Sequence, residues 1–350
     1  MQQARTTAST RRIRNGTERL VRFLSELSYA AAELLHFENP GFAAPGNTVI
    51  IMYHGVVPER PSLFNWRHIA VKDFETHLRL LSRHANILSA AEIIRGRVCP
   101  NRLNVALAFD DGYRNNYLYA LPLLEKYRVP ASFYVTGANA IDTPYLWPDF
   151  LDIVSRYADT EVRIAGETFE KRGRRYFAKS TGTALNEVIK NERPSWEFKQ
   201  EMFAAFRRWE PNLYRPDYEP YWRLMSDREV LALSRSDLVT IGSHGFYHNN
   251  LGQLPLQAAT DELKRSKAYL EAVIRRPVAE LAYPDGCYSP ELVREAAQMG
   301  FEVQLAVDFR HSEAADCVVP CPRAGVYSFL PARSQLASAL ADKARYGGAV

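Results

Sequence analysis

Residues 104–113 read Asn-Val-Ala-Leu-Ala-Phe-Asp-Asp-Gly-Tyr, a short apolar run that ends abruptly in two carboxylates and a glycine. A run of this length with such an end is typical of a buried strand followed by a turn, and Gly112 permits the backbone conformations that a turn needs. Adjacent carboxylates are costly to bury unless a positive group lies beside them. Asp110 and Asp111 therefore form either a solvated turn, which is the commoner case for such a sequence alone, or part of a site for a divalent cation.

A second apolar run, residues 238–248 (Leu-Val-Thr-Ile-Gly-Ser-His-Gly-Phe-Tyr-His), also ends in polar groups. Its two histidines lie four residues apart, which places both imidazoles on one side if the backbone turns helically after Ser243. Two neutral histidines and one carboxylate form a three-ligand set that leaves positions open for water, as hydrolytic metal sites require. Two ordinary surface histidines are the alternative. The candidate metal ligands are therefore His244, His248 and one of the two aspartates, Asp110 or Asp111.

Length and composition limit the function classes. The chain has 350 residues, 47% of them hydrophobic, which suits one elaborated domain or two smaller ones. The net charge of +4 is concentrated in the first 22 residues, which hold six arginines and one glutamate. A basic arm alone does not indicate a nucleic-acid fold, so we expect no nucleic-acid partner. The four cysteines form neither a disulfide framework nor a complete zinc motif.

The sequence of the N-terminal region bears on where in the cell the protein is expected to be. No apolar run of about 18 residues predicts a membrane-spanning helix. Polar residues between positions 22 and 28 interrupt any signal-peptide core, so we expect a cytoplasmic protein. Residues 1–37 combine the arginines with an amphipathic helical pattern from Leu20 to Leu35. This pattern predicts either a peripheral contact with an anionic membrane or a protein partner, or packing against the domain.

Strand and helix patterns alternate after residue 47, which predicts parallel βα units with a site at the carboxyl ends of the strands. We divide the chain into a basic arm, amphipathic helix and linker at residues 1–46 and a catalytic domain at residues 47–350. Charge-rich runs and a hairpin pattern around Ala165-Gly166 indicate an insertion at about 138–222. Its many aromatic side chains either stack on sugars or pack in a core.

The segments Ala108-Phe-Asp-Asp-Gly112 and Ser243-His-Gly-Phe-Tyr-His248 resemble the first two motifs of the polysaccharide deacetylases, the NodB-homology carbohydrate esterases. The resemblance extends over about residues 48–326. It implies an α/β fold, a distorted and incomplete (β/α) barrel. It also implies one divalent metal ion, expected to be zinc, and a division of roles in which Asp110 is the catalytic base and the metal ligands are Asp111, His244 and His248.

The third family motif, Arg-x-Pro-Tyr-Gly in its commonest form, corresponds to Ala282-Tyr-Pro-Asp-Gly286, so alanine replaces the arginine that would hold the base. Tyr283 and Asp285 are the candidates for substrate and oxyanion contacts, the latter through its backbone N–H. Arg323, on a late strand, is the expected substitute for the missing arginine. A surface arginine that contacts solvent or phosphate is the alternative for that position.

The general acid that protonates the leaving amine is not assigned by the sequence. The late Leu-x-His motif of the family has no convincing counterpart in this chain. His54, at the end of the first strand, and His311 are candidates, although His54 is equally consistent with a structural histidine. Asp110 acting as both base and acid is the other alternative.

The motifs together predict a metal-dependent hydrolase that removes an N-acetyl group from an amino sugar in a glycan, glycolipid or glycan precursor. The expected partner is therefore an N-acetylated carbohydrate. Two alternatives are hydrolysis of another non-peptide C–N bond on the same fold and a catalytically silent glycan-binding relative. The complete set of two aspartates and two histidines argues against a catalytically silent protein, because glycan binding alone does not require both carboxylates.

Overall fold

The computed structural model describes residues 46–59, 65–307, 320–326 and 328–346. The basic arm and amphipathic helix predicted before residue 46 lie outside these residues, and so does His311. Among the helices of the described residues, none is long and apolar enough to cross a membrane.

The centre of the fold is a sheet in which every paired strand runs parallel to its neighbour. The first part of the strand Leu103–Phe109 also pairs with a short outer strand, Ala85–Ile87. In spatial order the strands are β13 (Cys321–Pro322), β12 (Val303–Ala306), β11 (Glu280–Ala282), β10 (Val239–Ser243), β6 (Ala131–Val135), β5 (Leu103–Phe109), β1 (Thr48–Tyr53) and β14 (Ala324–Gly325), with β4 (Ala85–Ile87) beside β5.

The two ends of this sheet are joined by one short segment of chain. Strands β13 and β14 stand at opposite ends of the spatial order, yet only Arg323 separates them in the sequence. Because β13 pairs with β12 and β14 pairs with β1, the described strands curve into a barrel with seven strand positions instead of eight. The prediction of an α/β fold with a distorted, incomplete (β/α) barrel is confirmed.

Helices connect the strands and bury apolar faces against them. Capping boxes begin two of the helices, with Ser89 and Glu92 at one and Ser226 and Glu229 at the other. The helices are α1 (Val71–His84), α2 (Ala90–Ile94), α3 (Leu121–Tyr127), α4 (Trp147–Val154), α5 (Leu185–Glu187), α6 (Trp196–Phe206), α7 (Asp227–Leu233), α8 (Leu256–Ile274), α9 (Pro290–Gln298) and α10 (Ala332–Tyr346).

Helix α1 does not begin at a capping side chain. The helix instead begins at Val71, directly after Ala70, the last residue of the short strand β3 (His68–Ala70). The chain passes from strand into helix without a capping side chain. Asp73 therefore lies in the first turn, where its negative charge interacts favourably with the positive end of the helix dipole.

The inserted segment builds a small core of its own. Its strands β7 (Glu161–Ile164), β8 (Glu167–Arg172) and β9 (Arg175–Ala178) are antiparallel. The hairpin predicted at Ala165-Gly166 is present, and both residues have left-handed φ angles of 51° and 84°. Most of its large aromatic side chains pack together inside this segment and do not face solvent; the fully buried ones are Phe150, Phe169, Tyr176, Phe206 and Trp222.

A stack of aromatic rings fixes the strand that leads to the two aspartates. The ring of Phe109 is fully buried between Phe133, at a centroid distance of 4.7 Å, and Tyr53, at 5.2 Å. These three rings come from the neighbouring strands β5, β6 and β1. The stack therefore fixes the spacing of the strands where the site begins.

We expect Phe109→Ala to lower the free energy of unfolding by about 3–5 kcal/mol, because it removes a buried ring and leaves a cavity. Urea denaturation followed by circular dichroism measures this change. Leu118→Ala is the matched control, since Leu118 is 42% exposed, and its effect should stay within about 0.5 kcal/mol. Equal effects of the two substitutions would contradict the role given to the stack.

Candidate metal centre and active site

The two aspartates of the first motif lie in a tight turn after β5, and both are buried. Asp111 and Gly112 have left-handed φ angles of 76° and 82°. A side chain at Gly112 would bring a Cβ atom within 2.9 Å of Val135, so glycine is required there for space as well as for conformation. The turn brings both carboxylates near one imidazole, that of His244, at 3.9 Å from Asp110 and 3.5 Å from Asp111.

The two histidines follow β10 in a loop and not in a helical turn. Gly245 and His248 have left-handed φ angles of 71° and 52°, which interrupt any helix. The side chain of Glu262 accepts hydrogen bonds from the loop amides of Phe246 and Tyr247, so these amides do not form helical bonds. The imidazoles of His244 and His248 still converge, with ring centroids 5.1 Å apart.

The three predicted ligands form one compact group. Oδ1 of Asp111 lies 3.5 Å from Nε2 of His244 and 3.2 Å from Nε2 of His248. One ligand atom from each of the three side chains lies within 4.8 Å of the other two. All three side chains are buried. The structure thus brings together Asp111, His244 and His248, as the sequence analysis expected.

Hydrogen bonds around this group fit a cation ligand set. Nδ1 of His244 lies 2.7 Å from the carbonyl oxygen of Ala282. That nitrogen must therefore carry the proton, and the Nε2 lone pair faces Asp111. Within the described residues neither oxygen of the buried Asp111 carboxylate has a hydrogen-bond partner. Buried oxygens without donors, facing two imidazole nitrogens, are suited to a divalent metal ion.

The electrostatics of the group also favour added positive charge. Burial opposes ionisation of Asp111, but the contacts with His244 and His248 outweigh burial and hold the pKa of Asp111 well below its usual range. Burial disfavours the protonated form of His244, yet Asp110 and Asp111 raise its pKa overall. The protonated imidazole and a bound cation meet the same electrostatic demand, since each places positive charge between the carboxylates.

Arg323 contacts the second carboxylate. The residue stands between β13 and β14, is 5% exposed, and donates from Nη1 to Oδ1 of Asp110 over 2.5 Å. Burial favours the neutral form of Asp110, but Arg323 and His244 outweigh it and lower the pKa of Asp110. Ala282, which occupies the arginine position of the third motif, is fully buried. The pair that the sequence analysis expected is therefore in contact.

His54 lies at the end of β1, buried, and its Nδ1 has no hydrogen-bond partner in the described part of the chain. Burial is the main cause that lowers the pKa of His54 to about 3, and the charge of Arg67 adds to it. An imidazole with this pKa carries no transferable second proton at neutral pH. The structure therefore gives no support to His54 as the general acid.

The third-motif residues have different surroundings. The N–H of Tyr283 donates to Leu305 and its hydroxyl to Gln304, over 3.0 and 2.6 Å. Both donors of Tyr283 are thus engaged, which leaves Asp285 as the oxyanion candidate from this motif. Asp285 has a left-handed φ angle of 55°, and its carboxylate forms an ion pair with Lys190 of the inserted segment.

Two charged residues that support the site were not identified from the sequence. Lys199 of α6 is 1% exposed, and its ammonium group donates to the loop that carries His248. Glu262 of α8 accepts from the same loop. A signal was present, since Lys199 occupies a face of α6 whose neighbours Phe198 and Met202 are buried. A charged residue on an apolar helix face is the pattern that reveals a buried ionic contact.

Comparison with known proteins shows similarity in sequence and in fold. Residues 97–304 match the sequence model of the family described as polysaccharide deacetylase. YxkH of Bacillus subtilis, whose name places it among the polysaccharide deacetylases, is 30% identical over 99 residues. That match covers 27% of this chain and 34% of YxkH, so it spans about a third of the relative.

Two solved structures share the fold at low sequence identity. The deacetylase PplD of Streptococcus pyogenes, solved in complex with acetate, superimposes with a TM-score of 0.53 and 17% identity, covering 84% of this chain and 99% of PplD. A polysaccharide deacetylase of Bacillus cereus gives a TM-score of 0.50 and 16% identity, covering 85% and 69%. Because the family match extends over more than half of the sequence, this chain belongs to the polysaccharide deacetylase family.

Proposed function

We propose that this protein is a metal-dependent hydrolase that removes an N-acetyl group from an amino sugar in a glycan, glycolipid or glycan precursor. The observation that carries the proposal is the buried group of Asp111, His244 and His248 beside the Asp110–Arg323 pair. Family membership supports deacetylation of a carbohydrate. A catalytically silent glycan-binding role is disfavoured, because it would not require a buried carboxylate held ionised by an arginine.

Asp111, His244 and His248 would hold one divalent ion, and zinc suits a set of one carboxylate and two imidazoles. When bound, such an ion supplies a Lewis acid for the acetamide carbonyl and makes water more acidic. The chain contributes the orientation of the ligands. The carbonyl oxygen of Ala282 fixes which nitrogen of His244 is available.

Asp110 is the proposed general base. It is not one of the three ligands, and Arg323 keeps its carboxylate ionised. A carboxylate in this state accepts the proton of the attacking water as the C–O bond forms. The same proton then passes from Asp110 to the leaving nitrogen as the C–N bond breaks, because His54 has too low a pKa to supply it. The backbone N–H of Asp285 is the proposed donor to the oxyanion.

Metal analysis tests the ligand assignment. We expect the purified protein to bind one divalent ion, and His244→Ala or His248→Ala to lose most of it, since each removes one of three protein ligands. Inductively coupled plasma mass spectrometry after dialysis against a weak chelator measures the stoichiometry. His84→Ala, in the last turn of α1, serves as the control and should retain full metal. Full occupancy in either ligand variant would show that the assignment is wrong.

Asp110→Asn should reduce the release of acetate from N-acetylated oligosaccharides by about 10²–10⁴-fold, the usual contribution of a general base. The bound metal should stay at the wild-type stoichiometry, because Asp110 is not a ligand. Acetate is measured with a coupled enzymatic assay and metal by mass spectrometry on the same preparation. A loss smaller than about tenfold would exclude Asp110 from the role of base.

Arg323→Ala should shift the acidic limb of the kcat/KM profile to higher pH. The guanidinium lowers the pKa of Asp110, so its removal raises that pKa, and the base is then ionised only at higher pH. Arg323→Lys keeps the charge and should shift the limb less. Arg95→Ala, which breaks an exposed ion pair with Glu302, is the control. An unchanged profile in Arg323→Ala would mean that Asp110 does not depend on this pair.

A further inference from the structure

The loop that follows β10 is held from two sides by buried side chains of opposite charge. On one side, Glu262 of α8 accepts hydrogen bonds from the amides of Phe246 and Tyr247 over 3.1 and 2.9 Å. On the other side, Lys199 of α6 donates to the carbonyl oxygens of Tyr247 and His248 over 3.3 and 2.7 Å. The backbone of the loop is thus clamped through both its donors and its acceptors.

One side chain of the loop forms hydrogen bonds with both Lys199 and Glu262. Oδ1 of Asn249 accepts from Lys199 over 2.6 Å, and Nδ2 of Asn249 donates to Glu262 over 2.7 Å. Lys199 is 1% exposed, and a buried ammonium group is tolerated only when its protons have acceptors. All three acceptors of Lys199 belong to this loop, so its hydrogen bonds are committed to the shape of the loop.

The two histidines are oriented by different means. His244 is fixed through its ring, because Nδ1 bonds to the carbonyl oxygen of Ala282. Nδ1 of His248 has no hydrogen-bond partner within the described residues. The direction of the His248 ring therefore depends on its backbone, which has a left-handed φ angle of 52°. For a residue other than glycine that conformation is unfavourable, because Cβ approaches the following carbonyl oxygen, so it requires support from outside the residue.

We propose that Lys199 is a positioning residue for metal binding, which holds the carbonyl group of His248 so that the imidazole points to Asp111. This inference rests on the metal site of the proposed function and adds a role for the inserted segment, which supplies Lys199 through α6. The insertion is then a structural part of the metal centre. Removal of a group that orients a metal ligand commonly lowers metal affinity by about 10–100-fold.

The test is the dissociation constant of Zn²⁺, measured on the full chain by competition with a chromophoric chelator. Lys199→Met should raise this constant at least tenfold. Lys171→Met is the matched control, because Lys171 lies in the same inserted segment and its ammonium group donates to the carbonyl oxygen of Ala158, outside the loop. This substitution should change the constant less than twofold. Thermal unfolding of both variants separates a general loss of stability from a loss of metal affinity.

A double-mutant cycle identifies the residue through which Lys199 acts. In a His248→Ala background, Lys199→Met should weaken Zn²⁺ binding no further, because the ligand it positions is absent. In a His244→Ala background, the full tenfold loss should persist. Equal losses in both backgrounds would overturn the proposal, as would Zn²⁺ binding by Lys199→Met within twofold of the parent protein.

The folding of the variants and the metal binding of the parent protein give further decisive outcomes. If Lys199→Met does not fold, Lys199→Gln replaces it, because its amide retains donors for two of the acceptors. Lys199→Gln should raise the Zn²⁺ dissociation constant at least threefold. Failure of both variants to fold would show a purely structural role and overturn the proposal. If the parent protein itself binds no Zn²⁺, Co²⁺ or other divalent ion, the proposed function fails. A parent that binds metal beside a Lys199→Met variant that binds equally well refutes only the inference about Lys199.

Discussion

The burial of two adjacent carboxylates at the end of one strand is the constraint on which the rest of the structure depends. Asp110 and Asp111 are each almost fully shielded from water, and uncompensated charges in such a place would cost several kcal/mol each. The fold supplies a different compensation for each. Arg323 neutralises Asp110 by direct contact, whereas the carboxylate of Asp111 faces the imidazoles of His244 and His248.

This asymmetry separates two chemical tasks. A carboxylate that has a guanidinium partner is held in position by that contact, so it can accept and release a proton without moving. A carboxylate whose oxygens face two imidazoles and have no guanidinium partner is suited to a divalent ion, which supplies the positive charge. The barrel edge therefore brings the proposed base and the proposed cation ligand side by side, and the backbone turn at Asp111 and Gly112, with its two left-handed residues, is what allows both from consecutive positions.

The parts of this arrangement that the sequence predicted are those governed by local pattern. Strand ends followed by Asp-Asp-Gly and by two histidines are visible in the chain, and the alanine at the arginine position of the third motif leads to Arg323 as the candidate partner of Asp110. What the sequence did not reveal depends on distant residues. Glu262 accepts loop amides that would otherwise bond helically, and Lys199 arrives from an inserted helix, whereas a lysine is ordinarily expected at the surface. Tyr283 was expected at the substrate but is held by Gln304.

The third motif shows how the work of one segment can be divided. Its backbone still serves the metal centre, because the carbonyl oxygen of Ala282 orients His244. The ion pair with Asp110, which Ala282 cannot form, is made by Arg323. Arg323 lies on the segment that pairs with both β12 and β1 and so closes the barrel. The residue that compensates Asp110 is therefore held by hydrogen bonds of the sheet on both sides. Closure of the barrel and the positive charge beside Asp110 are thus both supplied by the five residues 321–325.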